Sequence, residues 1–258
     1  MTTRVKFLEN ALRQAQRFRF MSPRTGGGGG GGGGGVGSTV DILEYLLPNE
    51  AWSVSSHLAV AGAGGQPIYV LLAGSRIWQV KGSGGFPWDG NSFDSNYVYQ
   101  SITENVYLTP TTFKMFASAS WPGANGGIAW LPRYFTEGGR NAPIVTADST
   151  YRIYTACGVY TTSSLGGPVE VEVQGPYSIN FGGTLGVQSA IVQTYKWNPG
   201  YTVMEVNYYV KGYGLVQWES WALSGGVYTR QQVSAFNTVV AGGLPALDFP
   251  CGVPTITP

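Results

Sequence analysis

Ten consecutive glycines, Gly26–Gly35, interrupt this chain of 258 residues close to its start. No residue loses more conformational freedom on ordering than glycine. A run of ten neither propagates a helix nor offers side chains to a core, so the segments on its two sides are expected to fold apart. As a coil the run separates its ends by roughly 17 Å; drawn out like polyproline II it reaches about 31 Å. Residues 26–38 therefore read as a tether between a head, residues 1–25, and a body, residues 39–258.

The head, "TTRVKFLENALRQAQRFRF", has the spacing of an amphipathic helix. Val5, Leu8, Leu12 and Ala15 share a face, with Phe7 adjoining. Thr3 is placed to cap it and Ser22-Pro23 to end it. A lone helix of this length is marginal in water, so the face needs a partner surface. Docking on another protein is the expectation; folding back on the body, and binding nucleic acid or membrane, are the alternatives. The head carries six basic side chains and one acid, +5 in all. The remaining nine basic and thirteen acidic residues leave the body at −4. By charge, nucleic acid is not an expected partner of the body.

The body is poor in charge, since charged residues are 11 % of the chain against about 25 % in an average soluble domain. It is rich in Gly, Tyr, Trp and Thr, which suits β-structure with many turns. "VEVEV" alternates strictly, with Val169, Val171 and Val173 on one face and Glu170 and Glu172 on the other. In "YTVMEVNYYVKGYGLVQWESWALSGGVYTRQQVSAF", Met204, Val206, Tyr208 and Val210 oppose Glu205, Asn207, Tyr209 and Lys211, and Val216 and Trp218 are expected inward. Gly212 and Gly214 frame one turn and Gly225-Gly226 the next. "VDILEYLLP" is ambiguous between helix and strand, and "DGNSFDSN" reads as part of a loop. The fold class expected is all-β, a jelly-roll-like antiparallel β-sandwich.

Met1–Met21 is broken by charge throughout and lacks the apolar run of about 7–15 residues that a secretory signal needs. No segment approaches the ~20 apolar residues of a membrane span. Cys157 and Cys251 fit either a disulfide pinning the C-terminal segment or two buried thiols.

Motifs for chemistry are scarce. The single histidine, His57, sits in an alternating stretch of Ser and Ala and reads as structural. One histidine and two distant cysteines do not make a zinc site, and no cofactor or metal is expected. "DGNSFDSN", Asp89–Asn96, bunches oxygen ligands as calcium loops do, but Asx turns use the same residues. Asp89, Asp94, Glu137, Asp148 and Glu219 lie in or near aromatic, Gly-rich stretches and are the candidates for a carboxylate pair in glycoside cleavage. The tryptophans are the stronger lead. Trp88, Trp121, Trp130, Trp197 and Trp221 are read as lying beside Gly, Pro, Asn or Asp. A flat ring with polar neighbours grips sugars; the same rings also fill β-sandwich cores. Trp88, Trp121 and Trp221 are the candidate glycan-binding residues.

A basic N-terminal helix, a glycine tether and a Gly- and aromatic-rich β-body together resemble the virion appendage proteins of tailed phages, of fibre, spike or decoration type. The resemblance is one of layout and carries no functional residue across. It implies a non-enzymatic structural protein of the virion, held to other virion proteins through residues 1–35, present in several copies, with a host-surface glycan as the candidate ligand. An appendage-borne depolymerase or glycosidase and a secreted carbohydrate-binding module are the alternatives. "YYVKGYGLVQWESW" is also similar to a hairpin of bacterial secreted β-domains, which implies fold alone.

Overall fold

The structure is a computed structural model. It describes residues 38–47, 57–62, 67–73, 76–81, 87–103, 113–116, 128–138, 144–146, 150–156, 159–164, 167–197 and 199–242. The expected anchor residues Val5, Phe7, Leu8, Leu12 and Ala15, the tether Gly26–Gly35, Trp121, Asp148, Cys157 and Cys251 lie outside them.

β1 (Thr39–Asp41) and a one-turn helix, α1 (Leu43–Leu46), open the described body, so the ambiguous "VDILEYLLP" is both strand and helix. There follow β2 (His57–Gly62), β3 (Pro67–Ala73), β4 (Arg76–Lys81), β5 (Pro87–Phe93), β6 (Tyr97–Thr103) and β7 (Phe113–Phe116). Next come β8 (Ile128–Pro132), β9 (Tyr134–Thr136), β10 (Ile144–Thr146), β11 (Thr150–Ala156) and β12 (Val159–Ser164). The longest close the set: β13 (Val169–Asn180), β14 (Val187–Trp197), β15 (Val203–Val210), β16 (Gly214–Ser224) and β17 (Val227–Gly242). Among the described residues no helix is long and apolar enough to cross a membrane.

The pairs are antiparallel, and all but β1 and β9 join one hydrogen-bonded sheet. β17 makes this sheet two layers. Its first half, through Ala235, pairs with β16; from Phe236 it pairs with β2, across a register shift at Phe236/Thr238. A strand that changes partners at a bulge turns a corner. β13–β16 thus stack over the run from β2 to β6 as a β-sandwich. Each run follows chain order, a pair of meanders where a jelly-roll-like weave is expected.

The alternating valines explain why the layers adhere. Val169, Val171 and Val173 of β13, Ile191 and Tyr195 of β14 and Tyr209 of β15 form one buried cluster with Val70, Ile77 and Val98 of the opposite layer. The helix plugs one end of that cluster, with Ile42, Tyr45, Leu46 and Leu47 buried. Gly214 is required there. Its φ is +76°, and a Cβ on it would stand 3.1 Å from the Leu46 carbonyl oxygen and 3.2 Å from Val70 Cγ2. A second cluster lies on the back of β14–β17, where Ala190, Val210, Val216 and Phe236 are covered by Leu185 of the β13–β14 connection. That connection is fastened to β17 by the Leu185 N–H on the Asn237 carbonyl, at 3.0 Å, and the Val239 N–H on Thr184 Oγ1, at 2.8 Å.

Two expectations need correction. "PWDGNSF" is strand β5 within the sheet, not loop. Its Gly90 lies against the buried Trp78 of β4, at a spacing that leaves a Cβ 2.4 Å from Trp78 Cζ3, so the glycine is selected by packing and not by a turn. Val216 and Trp218 do not share the inward face. The register shifts at Tyr208/Tyr209, so Leu215 meets the main core and Val216 the second cluster, while Trp218 pairs with Asn207 on the core side.

Candidate functional site

Strand β16 carries "QWESW", and its pleat sends Trp218 toward the interior and Gln217 and Glu219 outward. Glu219 and Trp221, two residues apart, share the outer face, and the register shift at Ser220/Trp221, an extra residue in β17, sets Arg230 opposite Trp221 on that face. The Trp221 indole N–H donates to Glu219 Oε2 at 3.0 Å. Gln217 Nε2 donates to Glu219 Oε1 at 2.9 Å, and Arg230 Nη1 reaches the same oxygen at 3.1 Å. Glu219 is buried to 4 % side-chain exposure and Arg230 stands at 28 %, so the ion pair is half-shielded from water. The Arg230 guanidinium lies 6.0 Å from the Trp221 ring centroid, within cation–π reach. Burial and then the Glu219 charge raise the phenol of neighbouring Tyr208, and Arg230 draws it part of the way back.

This cluster ends a row of outward residues that crosses five strands. Glu170, Lys196, Met204, Trp221 and Arg230 stand opposite one another in succession. At about 4.8 Å per strand the row is ~19 Å long. Glu170 and Lys196 form an ion pair at its far end. Glu172, Thr194, Val206, Glu219 and Val233 make the adjacent row, and Glu172 accepts a hydrogen bond from Gln174. The outer face of β13–β17 is thus a strip of acids, bases and one half-buried tryptophan.

The inner face carries a second aromatic–carboxyl group. Glu205 Oε2 accepts the Trp218 indole N–H at 2.9 Å. Tyr195 stands directly opposite Glu205 on β14, and Trp197 opposite Val203. Burial raises the Glu205 carboxyl above its ordinary value, with the Trp218 N–H lowering it in part. The Tyr195 phenol is raised by its own burial and then by Glu205.

Deeper in the interior, polar groups satisfy one another. Gln193 donates to the Trp130 carbonyl and accepts from Asn207 Nδ2 at 3.0 Å, while the Trp130 indole N–H donates to the Tyr209 hydroxyl at 3.1 Å. Trp130 also packs on Tyr195, ring centroids 4.5 Å apart. It is a core tryptophan. This network escapes a sequence reading because nothing local marks a glutamine as interior.

Asp94, in the stretch weighed for calcium, forms an Asx turn. Its Oδ1 accepts the N–H groups of Asn96 and Tyr97, at 2.7 and 2.9 Å, and its Oδ2 the Tyr99 hydroxyl at 2.7 Å. Arg133 caps the region with a two-pronged bond to Asp41, at 2.7 and 2.9 Å. Among the described residues no three His, Cys, Asp or Glu side chains gather as metal ligands.

The sequence candidates therefore separate. Trp221 and Glu219 come together, and Glu137 lies apart, bonded by Ser38. Trp88 and Asp89 fall in β5, and His57 opens β2; only their backbone placement is described. Trp218, Glu205 and Arg230 were not singled out by sequence, though the alternation of "QWESW" and "MEVNYY" contains their facing.

Compared with known proteins, the chain matches no protein family and no curated protein. Among solved structures it is similar to a candidate lipoprotein from Parabacteroides distasonis ATCC 8503, at 9 % identity and a TM-score of 0.28, over 76 % of this chain and 98 % of that one. A likeness that distant lends no argument about what this chain does.

Proposed function

We propose that the chain is a non-enzymatic display protein. A helical head docks on a neighbouring protein, a glycine tether comes next, and the β-sandwich grips a saccharide on the outer face of β13–β17. The observation that carries this reading is the setting of Trp221. A half-buried indole is fixed by its N–H to a buried carboxylate, with a guanidinium over the ring. Apolar and polar surfaces are offered side by side and are already oriented, which lowers the ordering cost of binding. Sugars present C–H faces edged by hydroxyls, and such a pairing suits them.

The acids whose side chains the structure describes favour binding over hydrolysis. Asp41, Glu44, Asp94, Glu137, Glu170, Glu172, Glu205 and Glu219 are each engaged by a donor. A glycosidase instead sets two carboxyls about 5–9.5 Å apart with one free to take up or give a proton. The setting that fits the layout of head, tether and body is an appendage of a tailed-phage virion. Several tethered copies there would raise avidity by making later contacts intramolecular.

The test is retention of the full chain on an array of immobilised bacterial surface glycans. The wild type is expected to select a subset and Trp221→Ala to lose it. An unchanged pattern in Trp221→Ala would overturn the reading.

A further inference from the structure

We propose that the sandwich holds a second, separate ligand site, at the end opposite α1, for a neutral hydroxylated ligand of the saccharide class. Its components are Glu205, Tyr195, Trp197 and Trp218. The location is set by register. α1 packs beside Gly214, next to the β15–β16 turn. Trp197 and Val203 pair at the other end of β14 and β15, so Trp197 and Glu205 are diagonal neighbours on one face, a spacing at which aromatic and long side chains reach each other.

Two atoms point to a ligand. The Trp197 indole N–H is buried and no described group accepts from it. Buried donors are rarely left so, and each one calls for an explanation. At the diagonal position on β15, Glu205 accepts from Trp218 through Oε2, which leaves Oε1 as a second polar point. By register, Tyr195 stands opposite Glu205, and Trp197 and Trp218 are its neighbours on the same face. A hydroxyl group matches this pair, because it accepts from the Trp197 N–H and donates to the Glu205 carboxyl at once. A cation would satisfy Glu205 and leave the indole unpaired, and an anion the reverse. Aromatic neighbours of this kind suit the C–H faces of a sugar ring. The site stands independently of the outer strip, since Trp218 and Trp221 lie on opposite faces of β16.

The experiment is a titration of the full chain, labelled with 15N at the tryptophan indoles, against glucose, galactose, rhamnose and N-acetylglucosamine. Trp197→Phe and Trp218→Phe assign the signals. At least one sugar is expected to move the Trp197 and Trp218 N–H signals saturably. Read at Trp218, its affinity should fall about tenfold in Trp197→Phe, which keeps the ring and removes the donor, and stay unchanged in Trp221→Ala. The proposal is overturned if none of the four sugars moves either signal, or if Trp197→Phe binds as the wild type does. The Trp221 signal reports the outer strip in the same spectra, so failure of one site is distinguishable from failure of the other.

Discussion

Trp221 and Glu219 are two residues apart on β16, and the indole N–H of the first meets Oε2 of the second at 3.0 Å. The contact makes the ring's orientation depend on a buried charge that Arg230 balances. Glu219→Ala removes the acceptor from Trp221 and the counter-charge from Arg230 together. Cutting one partner from a buried pair costs about 3–5 kcal/mol. Arg230 remains partly in water, so the expected loss is nearer ~2 kcal/mol, read by urea denaturation. Glu219→Gln keeps an acceptor and should cost less. Equal losses would show that the charge has no part in holding Trp221.

Gly90 and Trp78 give a packing test with no polar group involved. A methyl on Gly90 would meet the buried indole ring of Trp78 at 2.4 Å, a separation that the structure must relieve. Overpacking of this kind costs about 1–3 kcal/mol. Gly90→Ala is expected to lower the unfolding midpoint accordingly, and a midpoint equal to the wild type's would mean that β4 and β5 slide apart freely.

The acids predict opposite pH dependences. Burial holds the Glu205 carboxyl above its ordinary 4.5, so from that pH upward the folded state keeps a proton that the unfolded chain has released. Stability from this group is complete below 4.5 and is lost as pH rises through the folded value. Asp94 works the other way. Burial raises its carboxyl, but the Tyr97 N–H, the Tyr99 hydroxyl, the Asn96 N–H and the Arg133 charge together bring it below its ordinary 3.8. Its contribution is present above 3.8 and disappears as pH falls through the folded value. Stability curves against pH should lose the rise-linked decline in Glu205→Gln and lose part of the acid-side decline in Asp94→Asn. Parallel curves for the wild type and either variant contradict that assignment.

For the head, the expected outcome is a change of location without a change of fold. Leu8→Asp with Leu12→Asp places two charges on the anchor face. On the proposed plan the variant leaves sedimenting particles while the β-body keeps its melting temperature. Continued co-sedimentation would remove the anchor from the account.

Much of the fold was legible because alternation is local. "VEVEV" reports its two faces directly, and Val169, Val171 and Val173 are all buried. The turn at Gly225-Gly226 likewise joins β16 to β17. The hidden parts depend on partners distant in sequence. β5 looks like loop because Pro87, Asp89, Gly90 and Asn91 are poor strand formers, and only β4 and β6 on either side make them a strand. Gly90 looks like a turn residue until Trp78 is placed against it. At the site, the sequence marked Trp221 and Glu219, which alternation puts on one face, but not Arg230, nor the shift in β17 that brings it opposite Trp221.

The central claim is that the Trp221 strip binds a saccharide. Its most direct measurement is calorimetric titration of the array-selected glycan into the wild type and Trp221→Ala, with melting temperatures taken alongside. The account predicts at least a tenfold loss of affinity, about 1.4 kcal/mol, in a variant whose melting temperature falls but stays well above the titration temperature. Equal affinities in the two proteins would contradict it.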